Sequence, residues 1–243
     1  MTKKRLDRTD VIKALQSRGP LSAEEKPIGV MTDFAEISPE EVEMLSKSHW
    51  VPHSAAELHG AASETFQRAL ESDVPPDIAG LLNELKHKME GAEYNLRNVN
   101  EGGPGEWWEA EAFLGQARGT LEILARILHA VLQEAPDSFD RDGRPIANVL
   151  RNQPTRSHHY ASSIALAEFI EGTEFIRTLS AVRDKVHHRY GLPSLAKADT
   201  GTVHLGGLTL NEFCIGFWLS LMKFTRHFLE WTITIAWETQ NSD

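Results

Sequence analysis

The residues best suited to chemistry form one run, Arg183-Asp184-Lys185-Val186-His187-His188-Arg189-Tyr190. Arginine keeps its charge at any cellular pH, and its planar fork can hold two phosphate oxygens. Histidine, with an ordinary pKa near 6.5, can exchange protons at cellular pH. Together they suit cleavage of RNA by internal transfer. That reaction needs one group to take the 2′-hydroxyl proton, another to protonate the leaving oxygen, and fixed positive charge for the phosphorane-like transition state. One Arg and one His supply half of this two-proton requirement. On a helix, residues four apart lie about 40° apart and residues five apart about 140°. Arg183 therefore shares a face with His187, Asp184 shares one with His188 and could orient its imidazole, and Tyr190 returns to the Arg183 face. A basic run at a helix C-terminus also complements the helix dipole, so the same residues fit a purely structural role.

Helices must position this run. Ile78, Leu81, Leu82, Leu85, Met89, Ala92 and Leu96 form one stripe, which predicts a long helix after Pro75-Pro76 that ends before Gly102-Gly103-Pro104-Gly105. A second helix is expected from Glu106 to about Glu134, with Leu114, Ala117, Leu121, Leu124, Leu128 and Val131 as its seam and Pro136 as its stop. The connection from Asp137 to His159 could hold a short helix around Ile146–Leu150. The third long helix is expected to begin near Tyr160, to carry Phe169, Gly172, Ile176, Leu179, Val182 and Val186 on one face, and to deliver the Arg183 run. Gly191 and Pro193 would end it, and Thr202–Leu205 could form one arm of a small hairpin. The fourth helix opens on the capping box Thr209-Leu210-Asn211-Glu212. Its seam of Leu210, Phe213, Phe217, Leu221, Phe224, Phe228, Trp231 and Ile235 is the strongest periodic signal in the chain. These elements predict an all-α, four-helix bundle over residues 77–240. Residues 1–76 read as a helical extension with capping boxes at Ser22, Ser38 and Ser54.

Arg183, His188 and Tyr190 stand in the Arg-x4-His-x-Tyr pattern, and the run closes the third helix of the expected bundle. In both respects residues 77–237 resemble the HEPN superfamily, and in particular HEPN toxins paired with small nucleotidyltransferase antitoxins. The resemblance implies a metal-independent endoribonuclease without cofactor, in a toxin–antitoxin or phage-defence setting, with a composite site where two motifs meet across a homodimer. It makes Arg183 and His188 the catalytic pair. Asp184, His187 and Tyr190 are supporting residues, and Tyr190 could also receive a regulatory nucleotidyl group. His187 stays beside His188 as a candidate for the proton-transfer group. RNA would be the substrate, and an antitoxin or defence-system protein the partner. Because some HEPN domains only bind or scaffold, a non-catalytic module for nucleotide, RNA or protein is the alternative.

The chain has 25 basic and 35 acidic residues, a net charge of −10, which opposes broad attraction to nucleic acid. Residues 151–190 reverse the balance, with six Arg or Lys against four acids, and add four histidines. Cys214 is the sole cysteine and sits among apolar neighbours, so it reads as a core residue of a protein in a reducing compartment. The amino terminus has charge but no apolar run behind it, and Phe213–Met222 is about half of the ~20 residues a membrane span needs. Both features predict a cytoplasmic protein. His158-His159 with His187-His188 could suggest a metal site, but adjacent histidines point apart on a helix and no Glu-x-x-His pair accompanies them, so no metal is expected. Trp107-Trp108 could stack on bases, although their spacing favours the core or a dimer interface.

Overall fold

The computed structural model describes residues 55–70, 74–101, 106–140, 142–185, 197–199, 202–205 and 208–240. These form an all-helical bundle with a small antiparallel ribbon. The helices are α1 (Ala55–Ala69), α2 (Pro76–Glu101), α3 (Glu106–Val131), α4 (Arg144–Arg151), α5 (Tyr160–Gly172), α6 (Glu174–Lys185) and α7 (Leu210–Gln240).

The apolar stripes determine the packing. All seven predicted seam residues of α2 are buried, and so are those of α3 except the half-buried Val131. The two helices form an antiparallel hairpin and pack against each other more extensively than any other pair, while α7 lies across both. Pro76 suits the first helical position of α2, where its missing N–H would be unpaired in any case. The last part of the expected extension belongs to the same core. Helix α1 buries Leu58, Ala62 and Phe66 against α2 and α7. The capping boxes at Ser22, Ser38 and Ser54 lie outside the described residues.

The connection from Leu132 to Gly143 is tied down along α3. Glu122 accepts hydrogen bonds from Ser138 Oγ (2.9 Å) and Phe139 N (3.0 Å), and Arg118 Nη2 donates to Asp140 O (2.9 Å). These bonds seat Phe139 in the core, fully buried. Gly143 then starts α4 in the left-handed region at φ 72°, with Ala147 N bonded to its carbonyl (3.0 Å). A Cβ at Gly143 would sit 2.7 Å from both Ile170 Cγ2 and Phe139 Cε1, so conformation and space both require glycine here.

The third element departs from the expectation of one continuous helix. It is divided at Thr173, which adopts extended angles (φ −95°, ψ 107°) while its Oγ1 donates to Phe169 O at 2.7 Å. Extended geometry is what a residue preceding a new helix needs. Gly172, expected on the buried seam, is exposed. The division lets α5 pack on α4 and α7, while α6 packs on α3 and α7.

After α6, the strands β1 (Lys197–Asp199), β2 (Thr202–Leu205) and β3 (Leu208–Thr209) pair in that order, all antiparallel. Lys197 opposes His204, and His204 opposes Thr209. The expected hairpin arm is therefore the central strand of a three-stranded ribbon that leads directly into α7.

Among the described residues no helix is long and apolar enough to cross a membrane. The Phe213–Met222 stretch lies inside α7, with all but Leu219 buried.

Candidate functional site on helix α6

The position of the Arg183 run is set by what holds α6. Phe175, Ile176 and Leu179 are buried and Val182 is half-buried, which gives the helix one apolar face against α3 and α7. The Phe175 ring lies 5.8 Å from Phe217 and 6.2 Å from Phe224. Phe224 in turn stacks on Phe169 of α5 at 5.2 Å and meets Phe139 edge-on at 5.7 Å. One ring of α7 thus joins α5, α6 and the connection before α4.

The backbone of Arg183 and Asp184 lies in this anchored helix, which is described as far as Lys185. The side chains of Arg183 and Asp184 lie outside the described residues, as do His187, His188 and Tyr190 in full. One turn upstream, the buried Ser180 Oγ has no hydrogen-bond partner among the described residues.

The other polar candidates have defined environments. His159 precedes α5 and is buried, with Nδ1 3.1 Å from Ser163 Oγ, while His158 is exposed. Among the described residues no group of three His, Cys, Asp or Glu side chains converges as a metal would need. Arg151, part of the basic segment, pairs with Glu171 across α4 and α5. The hydrogen bond from Arg151 holds the Glu171 carboxyl below its ordinary pKa, so some of the segment's positive charge is already neutralised. Trp107 packs partly against the core, whereas Trp108 is 76% exposed.

A polar cluster on α7 was not singled out from the sequence. Glu230 accepts from Arg226 Nε at 2.8 Å and from His227 Nδ1 at 3.0 Å, and the His227 ring meets Phe169 edge-on at 5.5 Å. Burial pushes the Glu230 pKa up, but the bonds from His227 and Arg226 outweigh it and hold the carboxyl below its ordinary value. Spacings of three and four residues on a helix signal such a cluster. Its partial burial comes from packing against α5, which the spacing does not encode.

Comparison with family models, curated proteins and solved structures gave no match to this chain.

Proposed function

We propose that the chain is a metal-independent endoribonuclease of HEPN type, active as a homodimer in which two copies of the Arg183 run share one cleft. One observation carries the reading. Arg183 and Asp184 sit on a core-anchored helix of an all-helical bundle, ahead of the long closing helix α7. A phosphate-binding arginine needs this kind of fixed support, because misplacement by about 1 Å can cost a hundredfold in rate.

In this mechanism Arg183 neutralises the scissile phosphate, and His188 transfers the proton to or from the reacting oxygen. The second copy supplies the second proton-transfer group. Asp184 orients His188 or the motif across the dimer, and Tyr190 lines the cleft or takes a regulatory nucleotidyl group. His187 is the neighbour that must be separated from His188 by experiment. The setting is a cytoplasmic toxin–antitoxin or phage-defence system with a dedicated partner protein.

A second reading, a non-catalytic HEPN module for nucleotide, RNA or protein, is favoured by the net charge of −10. The two separate in an RNA cleavage assay in EDTA that compares wild type with Arg183→Ala, His187→Ala and His188→Ala, each shown to be folded. The nuclease reading expects cleavage by wild type and His187→Ala and its loss in the other two variants. An inactive wild type that still binds RNA, with binding retained in His188→Ala, selects the module.

A further inference from the structure

Helix α1 is held to the bundle by one apolar face, and a cluster of ionisable groups stands beside that contact. Ala55, Leu58, Ala62 and Phe66 are buried against α2 and α7, so removing α1 would uncover an apolar surface on both helices. The first amide of α1, that of Ala55, donates to Glu93 Oε2 of α2 at 3.3 Å. One turn further on, His59 is half-buried where α1 meets α2. Its Nε2 lies 3.5 Å from Ser63 Oγ on the same helix, and the ring is hydrogen-bonded to the Asn83 side chain of α2.

Among the described residues, the charged or titratable groups that act on His59 are Lys86, Glu90 and His87, all on α2. The other charged groups of α1, Glu57, Glu64 and Arg68, are not among them, nor is any group of α7, the second helix packed on α1. Glu90 is the one carboxylate of the cluster, and Lys86 Nζ and His87 Nδ1 already approach it at 3.7 Å each. The nearby acids are engaged elsewhere, Glu93 by Arg97 and the Ala55 amide, and Glu64 by Arg68. A proton on His59 therefore adds a positive charge beside Lys86 with no unshared carboxylate to balance it. Burial, followed by the charge of Lys86, holds the His59 ring below its ordinary pKa. Released α1 thus binds that proton more readily than docked α1. Docking is fully favoured above the ordinary histidine value of about 6.5 and weakens as pH falls through the docked value.

We propose that α1 is an acid-released cover: protonation of His59 loosens it from α2 and α7 and uncovers the apolar face beneath, while the α2–α3 hairpin stays folded. The inference is independent of the ribonuclease reading. Hydrogen exchange of the full-length chain at about pH 7.5 and about pH 5.5, corrected for the intrinsic pH dependence of exchange, tests it. Ordinary carboxylates stay ionised across this range, and one histidine of ordinary pKa in the released state can shift the opening equilibrium by at most about tenfold. Protection of the α1 amides of residues 59–69 should fall by about two- to tenfold at the lower pH, while that of α3 residues 113–128 changes by less than about twofold. His59→Gln, which keeps a polar amide in place of the ring, should abolish the pH dependence of α1. Unchanged α1 protection in the wild type, a fall that survives in His59→Gln, or an equal loss in α3 would overturn the proposal. A titration of the His59 ring by NMR in the wild type keeps the test decisive if the variant does not fold. Its midpoint should lie below that of the same ring in an unstructured peptide, and a midpoint at or above that value would overturn the proposal.

Discussion

Truncating Phe224 to alanine removes the ring on which α5, α6 and the connection before α4 converge. Phe224 is 2% exposed, and its ring centroid lies 5.2 to 6.2 Å from those of Phe139, Phe169, Phe175 and Phe228. Phe→Ala in a packed core costs about 3–5 kcal/mol through lost transfer energy and a residual cavity. Aromatic pairs add about 0.5–1.5 kcal/mol each beyond area, though not additively, so the upper part of that range, about 4–5 kcal/mol, applies here. For a chain of this size each kcal/mol lowers Tm by about 2–4 °C, which gives a fall of about 8–20 °C. Urea unfolding followed by circular dichroism should show a lower midpoint with an unchanged slope. Phe224→Leu, which retains much of the volume, should cost only about 1–2 kcal/mol. A loss below about 1 kcal/mol in Phe224→Ala would refute the packing that anchors α6.

Gly143→Ala should destabilise by about 2–4 kcal/mol in the same unfolding assay, combining left-handed backbone strain with overpacking against Phe139 and Ile170. Glu230 gives a pH signature. Its folded carboxyl pKa is depressed, so its contribution is fully present above the ordinary carboxylate pKa and is lost as pH falls through the folded value; the acid limb of a stability–pH profile should flatten in Glu230→Gln. Cys214 is fully buried, and that burial pushes its thiol pKa well up, so labelling by a thiol reagent should occur only at the rate of global unfolding and speed up in Phe224→Ala.

The parts of the fold governed by helical periodicity were legible in the residues. The stripes of α2, α3 and α7 predict their buried faces, because an apolar stripe at helical spacing must be covered, although α3 ends at Val131 rather than near the expected Glu134. The division at Thr173 was not, since Phe169, Ile176 and Leu179 keep helical spacing across it; the local sign was a glycine followed by a β-branched residue. Trp107 and Trp108 look equivalent by composition, yet the roughly 100° between adjacent helical positions sends one toward the core and the other to the surface. For the candidate site, the expected helical setting holds for the backbone of Arg183 and Asp184 in α6, while His187, His188 and Tyr190 lie outside the described residues. Whether two copies of the run face each other depends on a second copy of the chain, and spacing within one chain does not encode that.

The most direct test of the ribonuclease proposal uses a defined RNA cleaved in EDTA, beside the same RNA carrying a single 2′-deoxynucleotide at the cleaved position. Internal transfer predicts products ending in a 2′,3′-cyclic phosphate, no cleavage at the deoxy position, and loss of activity in Arg183→Ala and His188→Ala. Cleavage of the deoxy substrate at the same bond, or full activity in either variant, would contradict the account.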